Sequence, residues 1–314
     1  QSKGSPTYFR RFYLRRALRI FPAYYLVLTA IFLLSFVYPA IRDAKLDRWA
    51  WSFALHLQNI AMVAQQSWFQ WEGINHLWSL AVEEQFYLIW PLLIYLTPAP
   101  LLTRVCLLVI GLAWLAKLAL LQTESWKFTG YVLTITRMDA LAAGAWVAAY
   151  TSGSCKPTEL PRLLKLVVAI ALACLISAFL YLKGLSVGHH AWHLAIGTSA
   201  ATIVFAAWVF RIIVSERRLN QGWLVLPPLV FFGKYSYGLY LVHLPVMELM
   251  KPTLHSELLP YLGLTMGTPL SGLAVIATST LIAVLMFHLY EAPISSLKHR
   301  VPMSSSYPQS VARP

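Results

Sequence analysis

The chain has 314 residues, of which 58% are hydrophobic and only 12% charged, with a formal net charge of +13. An average soluble domain is about one-quarter charged, so a soluble globular protein is excluded: too few polar side chains are available to cover the apolar ones. The apolar residues fall into long blocks, not the short alternating runs of β-strands or an outer-membrane barrel, and helices in a bilayer are the expected class.

In chain order, Gln1–Arg19 is basic and polar and leads straight into a full-length apolar block, unlike a cleavable signal peptide. Eight blocks come close to the ~20 residues that cross a hydrocarbon core. They are Ile20–Ala40, His76–Thr97, Leu101–Leu121, Tyr131–Tyr150, Leu163–Leu182, Trp192–Arg211, Pro227–Met250 and Thr268–Tyr290. The longest connection, Ile41–Asn75, is rich in tryptophan, and Trp49, Trp51, Trp68, Trp71 and the nearby Trp78 suit the headgroup zone. An interfacial helix over Asp47–Ala64 is expected there. Short turns such as Thr97-Pro-Ala-Pro100 imply antiparallel neighbours. Residues 1–300 read as a single integral membrane domain without a soluble module, and the Ser- and Pro-rich segment 301–314 as a disordered cytoplasmic tail. The inverted repeat of many secondary transporters is not evident.

The distribution of charge sets the orientation. With the N-terminus inside, the cytoplasmic side holds the basic cluster from Lys3 to Arg19 together with Arg104, Lys156, Arg162, Lys165, Arg211, Arg217, Arg218 and the C-terminal basic residues. The opposite face receives Arg42, Lys45, Arg48, Lys127, Lys183 and Lys251. This bias obeys the positive-inside rule, places both termini in the cytoplasm, and accounts for the net charge without a nucleic-acid partner. Cys106, Cys155 and Cys174 suggest neither a disulfide framework nor a metal site.

Three stretches carry candidate chemistry. Arg11, Arg15 and Arg19 recur at i, i+4 and i+8 along one helical face, with Arg16 beside them. Such a guanidinium ridge serves topology and anionic lipid, or it binds a phosphate-rich cytosolic ligand through bidentate forks. Next, His76-Leu-Trp-Ser-Leu-Ala-Val-Glu-Glu places a histidine and two carboxylates at the start of an apolar span. His76, Ser79 and Glu83 share one stripe if the helix runs through them, with Tyr87 one turn further, while Glu84 points about 100° away. A carboxylate inside a membrane is a functional candidate by default, and pairing with an arginine of a neighbouring helix is the structural alternative. Third, Ser236, Tyr240 and His243 lie at i, i+4 and i+7, although a lone bundle histidine is more often a hydrogen-bonded structural residue. Arg137 and Asp139, two residues apart, cannot face each other and each needs a partner elsewhere. No His-Glu-x-x-His, P-loop or Gly-x-Ser-x-Gly motif is present, and the adjacent His189 and His190 read as an external loop.

Taken in order, five segments resemble the acyltransferase-3 family, multi-span membrane enzymes that O-acetylate cell-surface polysaccharides. They are Phe12-Tyr-Leu-Arg-Arg-Ala-Leu-Arg-Ile-Phe-Pro22, Trp78-Ser-Leu-Ala-Val-Glu-Glu-Gln-Phe-Tyr87, Arg137-Met-Asp-Ala-Leu-Ala-Ala-Gly144, Ser236-Tyr-Gly-Leu-Tyr-Leu-Val-His243 and Glu291-Ala-Pro293. The resemblance covers about Tyr8 to Arg300, and its second segment is the most specific. Family members normally have ten spans, with a histidine on the first helix thought to act in acyl transfer. No residue here matches that histidine, so the chain is expected to be an N-terminally truncated, inactive portion with eight of ten spans.

The resemblance implies transfer of an acyl group, acetyl by expectation, from acyl-CoA as co-substrate to a hydroxyl of a carbohydrate or lipid-linked acceptor. No bound cofactor and no metal is expected. Glu83 is the candidate catalytic carboxylate, and Arg11, Arg15, Arg16 and Arg19 are candidate contacts to the CoA phosphates. His76, Ser79, Tyr87, Ser236, Tyr240 and His243 are candidate lining residues. Membrane lipids surround the protein, and the expected location is a bacterial inner membrane. The competing readings are a transporter or flippase for a lipid-linked sugar and an inactive membrane scaffold.

Overall fold

The computed structural model describes residues 5–123, 126–152, 162–181, 197–215, 225–254 and 269–297. Among them every regular element is helical, and the chain is a polytopic α-helical membrane bundle. The long helices are α1 (Tyr8–Leu34), α2 (Trp78–Leu96), α3 (Leu102–Leu120), α4 (Thr134–Thr151), α5 (Arg162–Tyr181), α6 (Thr198–Ser215), α7 (Pro227–Thr253) and α8 (Pro269–Met286). Each coincides with one of the eight apolar blocks. The 301–314 tail and the His189–His190 loop lie outside the described residues.

Four helical stretches among the described residues are long and apolar enough to cross a membrane: Tyr8–Leu34, Ala99–Leu120, Phe128–Thr151 and Pro269–Ser296. Shorter apolar runs, Leu164–Ile176 and Thr198–Val214, lie on α5 and α6. Helices α2 and α7 are less apolar because they carry Glu83, Glu84 and Gln85, and Lys234, His243 and Glu248, respectively. Large apolar side chains such as Leu107, Leu108 and Leu115 on α3 stay exposed, as a lipid-facing surface requires.

Two departures from expectation come from backbone geometry. The first helix starts at Tyr8 and stops at Leu34, so the arginines and the apolar span belong to one continuous helix that ends well before Ala40. Tyr38, extended at φ −109° and ψ 105°, precedes Pro39, whose ring disfavours helical backbone in the residue before it. Asp47–Ala64 is not a single interfacial helix either. It breaks into Leu46–Trp49, Ala50–Ala54 and Gln58–Gln65, because His56 adopts a left-handed φ of 54°, which an L-residue helix does not continue through.

Two compact units make up the fold. One comprises residues 1–54, 69–77 and 225–314. Here α7 packs along α8, the 3-10 helix Glu72–Leu77 lies against α7, and α1 contacts α7 and the end of α8. Helix α8 runs on through a π turn, Phe287–Glu291, into Ala292–Ser296. Gly238 lets α7 approach closely, since a Cβ there would lie 3.0 Å from Met286 Cε and 3.3 Å from Ala283 Cβ. The Tyr235 hydroxyl and His288 Nε2, 2.9 Å apart, fasten the π turn to α7, and Tyr237 donates to the Ile20 carbonyl on α1 at 2.7 Å.

The other unit comprises residues 55–68 and 78–224. Its spine is the α3–α4 pair, with α6 packed on both α4 and α5, and α2 against α4. Phe86 and Trp90 stack at 4.6 Å and, with Cys106, form a buried cluster covered by Met138, Leu141 and Trp146. Within this packing, Lys117, Asp139, Gln58 and Asn59 are buried polar residues.

Candidate active site

In the unit that holds α1, α7 and α8, three of the sequence candidates converge. The Tyr240 hydroxyl donates to the backbone carbonyl of His76, fixing the Glu72–Leu77 turn on α7. The His76 ring meets the Tyr240 ring at 5.0 Å and the His243 ring at 4.9 Å, both edge-on. His243 Nδ1 lies 2.8 Å from the Tyr240 carbonyl and 3.2 Å from that of Leu239. A carbonyl can only accept, so Nδ1 carries the proton, and in the neutral ring Nε2 is left with its lone pair. The tautomer is thus set by contacts within its own helix.

Spacing misplaced two residues of this group. His76 lies in the 3-10 helix that precedes α2, so the i, i+3, i+7 stripe with Ser79 and Glu83 does not extend back to it. Ser236 is exposed and turns back onto its own helix, donating to the Gly233 carbonyl at 2.9 Å. Its hydroxyl is spent locally, while Tyr240 and His243 are brought to His76. Beyond them, Lys251 bridges Glu72 at 3.3 Å and Glu248, tying the Glu72–Leu77 turn to the end of α7.

The arginine ridge runs along the N-terminal turns of α1. Arg11, Arg15 and Arg16 are half-buried and Arg19 is exposed. At 1.5 Å per residue, Arg11 and Arg19 stand about 12 Å apart. The Arg16 guanidinium lies over the Phe12 ring at 5.5 Å, while the buried Arg15 Nε meets no acceptor among the described residues.

The unit of α2 to α6 carries the carboxylates. Glu83 is half-buried on α2 and accepts a hydrogen bond from the Tyr87 hydroxyl at 3.2 Å, one turn on, with Ser79 one turn before it. Arg137, a cation of the same unit, is held by backbone and aromatic contacts. Its Nε donates to the Tyr131 carbonyl at 2.7 Å, and its guanidinium sits over the rings of Tyr131 and Trp78 at 4.5 and 5.2 Å. Gln85 leaves α2 on another side: its amide donates to the His56 carbonyl and to Asn59, each at 2.9 Å, and its oxygen accepts from Thr134. Asn59 in turn donates to Thr134 at 2.9 Å.

Asp139 has the partner elsewhere that its position demands. Its Oδ2 accepts from Lys117 at 2.6 Å, Ser199 at 3.0 Å and Trp114 at 3.3 Å, joining α3, α4 and α6. The Asn59–Gln85–Thr134 network was missed at the sequence level, since amides and hydroxyls scatter through any chain. For Lys117 the signal existed: a lone lysine in an apolar span, one helix before an unpaired aspartate. Among the described residues no group of three or more His, Cys, Asp or Glu could hold a metal ion.

The family model for the Acyl_transf_3 acyltransferase domain matches residues 3–288, through both units and all of these groups. The chain belongs to the acyltransferase-3 family. Among its relatives, the peptidoglycan O-acetyltransferase OatA of Listeria monocytogenes is 28% identical over 312 residues, covering 93% of this chain and 47% of that protein. The O-acetyltransferase OatA of Staphylococcus aureus is 27% identical over 247 residues, covering 75% of this chain and 40% of that protein. The chain therefore spans less than half the length of these relatives. No solved structure matches it. The five motifs that suggested the acyltransferase-3 family include the arginine ridge, Glu83, Tyr240 and His243.

Proposed function

We propose that this chain is the membrane-embedded part of an O-acyltransferase that moves acetyl from acetyl-CoA to a hydroxyl of a cell-wall polysaccharide. Peptidoglycan is the favoured acceptor, because the Listeria relative is named for it. The observation that carries the chemistry is His243: its Nδ1 proton is committed to the Tyr240 carbonyl, which leaves the Nε2 lone pair available on a ring packed against His76. In the transfer, the acceptor oxygen attacks the thioester carbonyl carbon, its proton passes to the base, the C–S bond breaks and the CoA thiolate leaves with the proton returned to it. The half-buried Tyr240 and His76 hold the base in place. Glu83, which accepts from the Tyr87 hydroxyl, is the carboxylate that orients or charges a catalytic partner in this reading.

Arg11, Arg15, Arg16 and Arg19 take the CoA phosphates from the cytoplasm in this reading, and the open Nε of Arg15 supports a ligand there. Both termini face the cytoplasm of a bacterial inner membrane, residues 1–300 act as one catalytic membrane domain, and the acceptor arrives from the outside.

The test is transfer of labelled acetyl from acetyl-CoA by membranes bearing the full-length protein. Glu83→Gln keeps an oxygen for the Tyr87 hydroxyl and is expected to abolish transfer in a folded protein. Replacing Arg15 and Arg16 with Gln raises the KM for acetyl-CoA about tenfold, the value of one charge-assisted phosphate contact. If label never reaches glycan while a lipid-linked sugar still crosses the bilayer, the enzyme reading gives way to a flippase.

A further inference from the structure

A groove of about 780 Å³ lies against the C-terminal half of α1, at the far end from the arginine ridge. From Arg15 to Phe32 along α1 is about 25 Å at 1.5 Å per residue, most of a ~30 Å hydrocarbon core, so the groove opens near the opposite membrane surface. Its wall is apolar, formed by Leu28, Phe32, Phe36, Ile41, Phe53 and Ile74. Ile41, Phe53 and Ile74 are buried and form its base. The groove is built, because two adjacent tyrosines of α1 reach across to the Ala50–Ala54 helix. Tyr24 donates to the Phe53 carbonyl at 2.9 Å and Tyr25 to the Ala54 carbonyl at 2.8 Å.

Its rim is cationic. Arg42, Lys45 and Arg48 line it, with Asp47 as the acidic residue on the lining. All three cations are exposed, and Arg42 makes only a weak 3.5 Å contact to the solvent-exposed Asp43. Topology does not explain these charges: on the surface opposite the arginine ridge the positive-inside rule disfavours basic residues, and here three fall within seven positions. An apolar wall under a cationic rim matches an amphiphile with an anionic head.

We propose that this groove binds a phosphate-headed lipid, its phosphate on Arg42, Lys45 and Arg48 and its hydrocarbon chain against Phe32, Phe36 and Ile41. Guanidinium and ammonium groups at a headgroup contribute on the order of 1 kcal/mol each. The site is independent of acyl transfer and stands or falls by binding alone.

The experiment is thermal unfolding of the full-length protein in neutral detergent, titrated with phosphatidylglycerol, with diacylglycerol of the same chains, and with glycerol 3-phosphate. Phosphatidylglycerol is expected to raise the melting temperature saturably, whereas the head alone and the tails alone do not. A triple variant with Arg42, Lys45 and Arg48 changed to Gln, all surface positions, weakens the effect about a hundredfold. Lys45→Gly, which suits the left-handed φ of 49° at that position, weakens it about fivefold. Equal stabilisation by diacylglycerol, or an unchanged response in the triple variant, overturns the proposal.

Discussion

Lys117 Nζ and Asp139 Oδ2 lie 2.6 Å apart, with side chains only 6% and 3% exposed. The same carboxylate oxygen accepts from Ser199 and Trp114, so one ion holds α3, α4 and α6 together. Removing one partner strands the other charge in the bundle. Asp139→Asn or Lys117→Met is expected to destabilise by about 3 to 5 kcal/mol, whereas Lys117→Met with Asp139→Leu regains most of it. Thermal unfolding in detergent checks this, and a double variant as unstable as either single one refutes it.

If His243 is the base, His243→Gln lowers kcat for acetyl transfer by about 10² to 10⁴. The glutamine amide still reaches toward the Tyr240 carbonyl, so the melting temperature stays near that of the parent protein. Labelled acetyl transfer by the full-length protein reads the outcome. Activity above about a tenth of the parent removes His243 from the chemistry.

Gly73 sits under the Trp71 ring, and a Cβ on it would fall 2.6 Å from two ring carbons. Trp71 is itself 4% exposed and has nowhere to swing. Gly73→Ala is expected to cost about 1 to 3 kcal/mol and to displace the turn that carries His76. Transfer activity should fall more than the melting temperature alone explains; a variant with normal activity and stability would show that the turn yields freely.

His56 gives a pH dependence whose sign follows from its burial. Desolvation lowers its pKa from 6.5 to about 4 in the folded chain. Once unfolded, the imidazole takes up a proton near its ordinary value, while the folded protein resists until about 4. The stabilisation is therefore complete above pH 6.5 and is lost as pH falls from there toward 4. His56→Asn suits the left-handed φ of 54° and does not titrate. It should flatten the decline in melting temperature between about pH 7.5 and about pH 4.5, and an unchanged slope would place the titration elsewhere.

Candidate residues were legible in the sequence where rare ionisable groups stand in apolar surroundings. Glu83, His243 and Asp139 stand out in predominantly apolar spans, because an ionisable group in a bilayer demands a reason. The positions of His76 and Ser236 were not legible. Both were assigned by helical periodicity, which assumes that the helix continues and that its polar side chains look outward. In the fold the helix begins at Trp78, after His76, and Ser236 bonds to the turn below it.

The sequence by itself determined the membrane class, the eight helices and their order, and the family. Each of these rests on summed hydrophobicity or on contiguous motifs, which neighbours in the chain define without help from distant contacts. Tertiary structure alone decided that His76 meets His243, that Asp139 holds Lys117, and that the loop after α1 folds into short pieces fastened by Tyr24 and Tyr25. A hydrogen bond depends on distances of a few tenths of an ångström between residues far apart in sequence, and no local pattern encodes them.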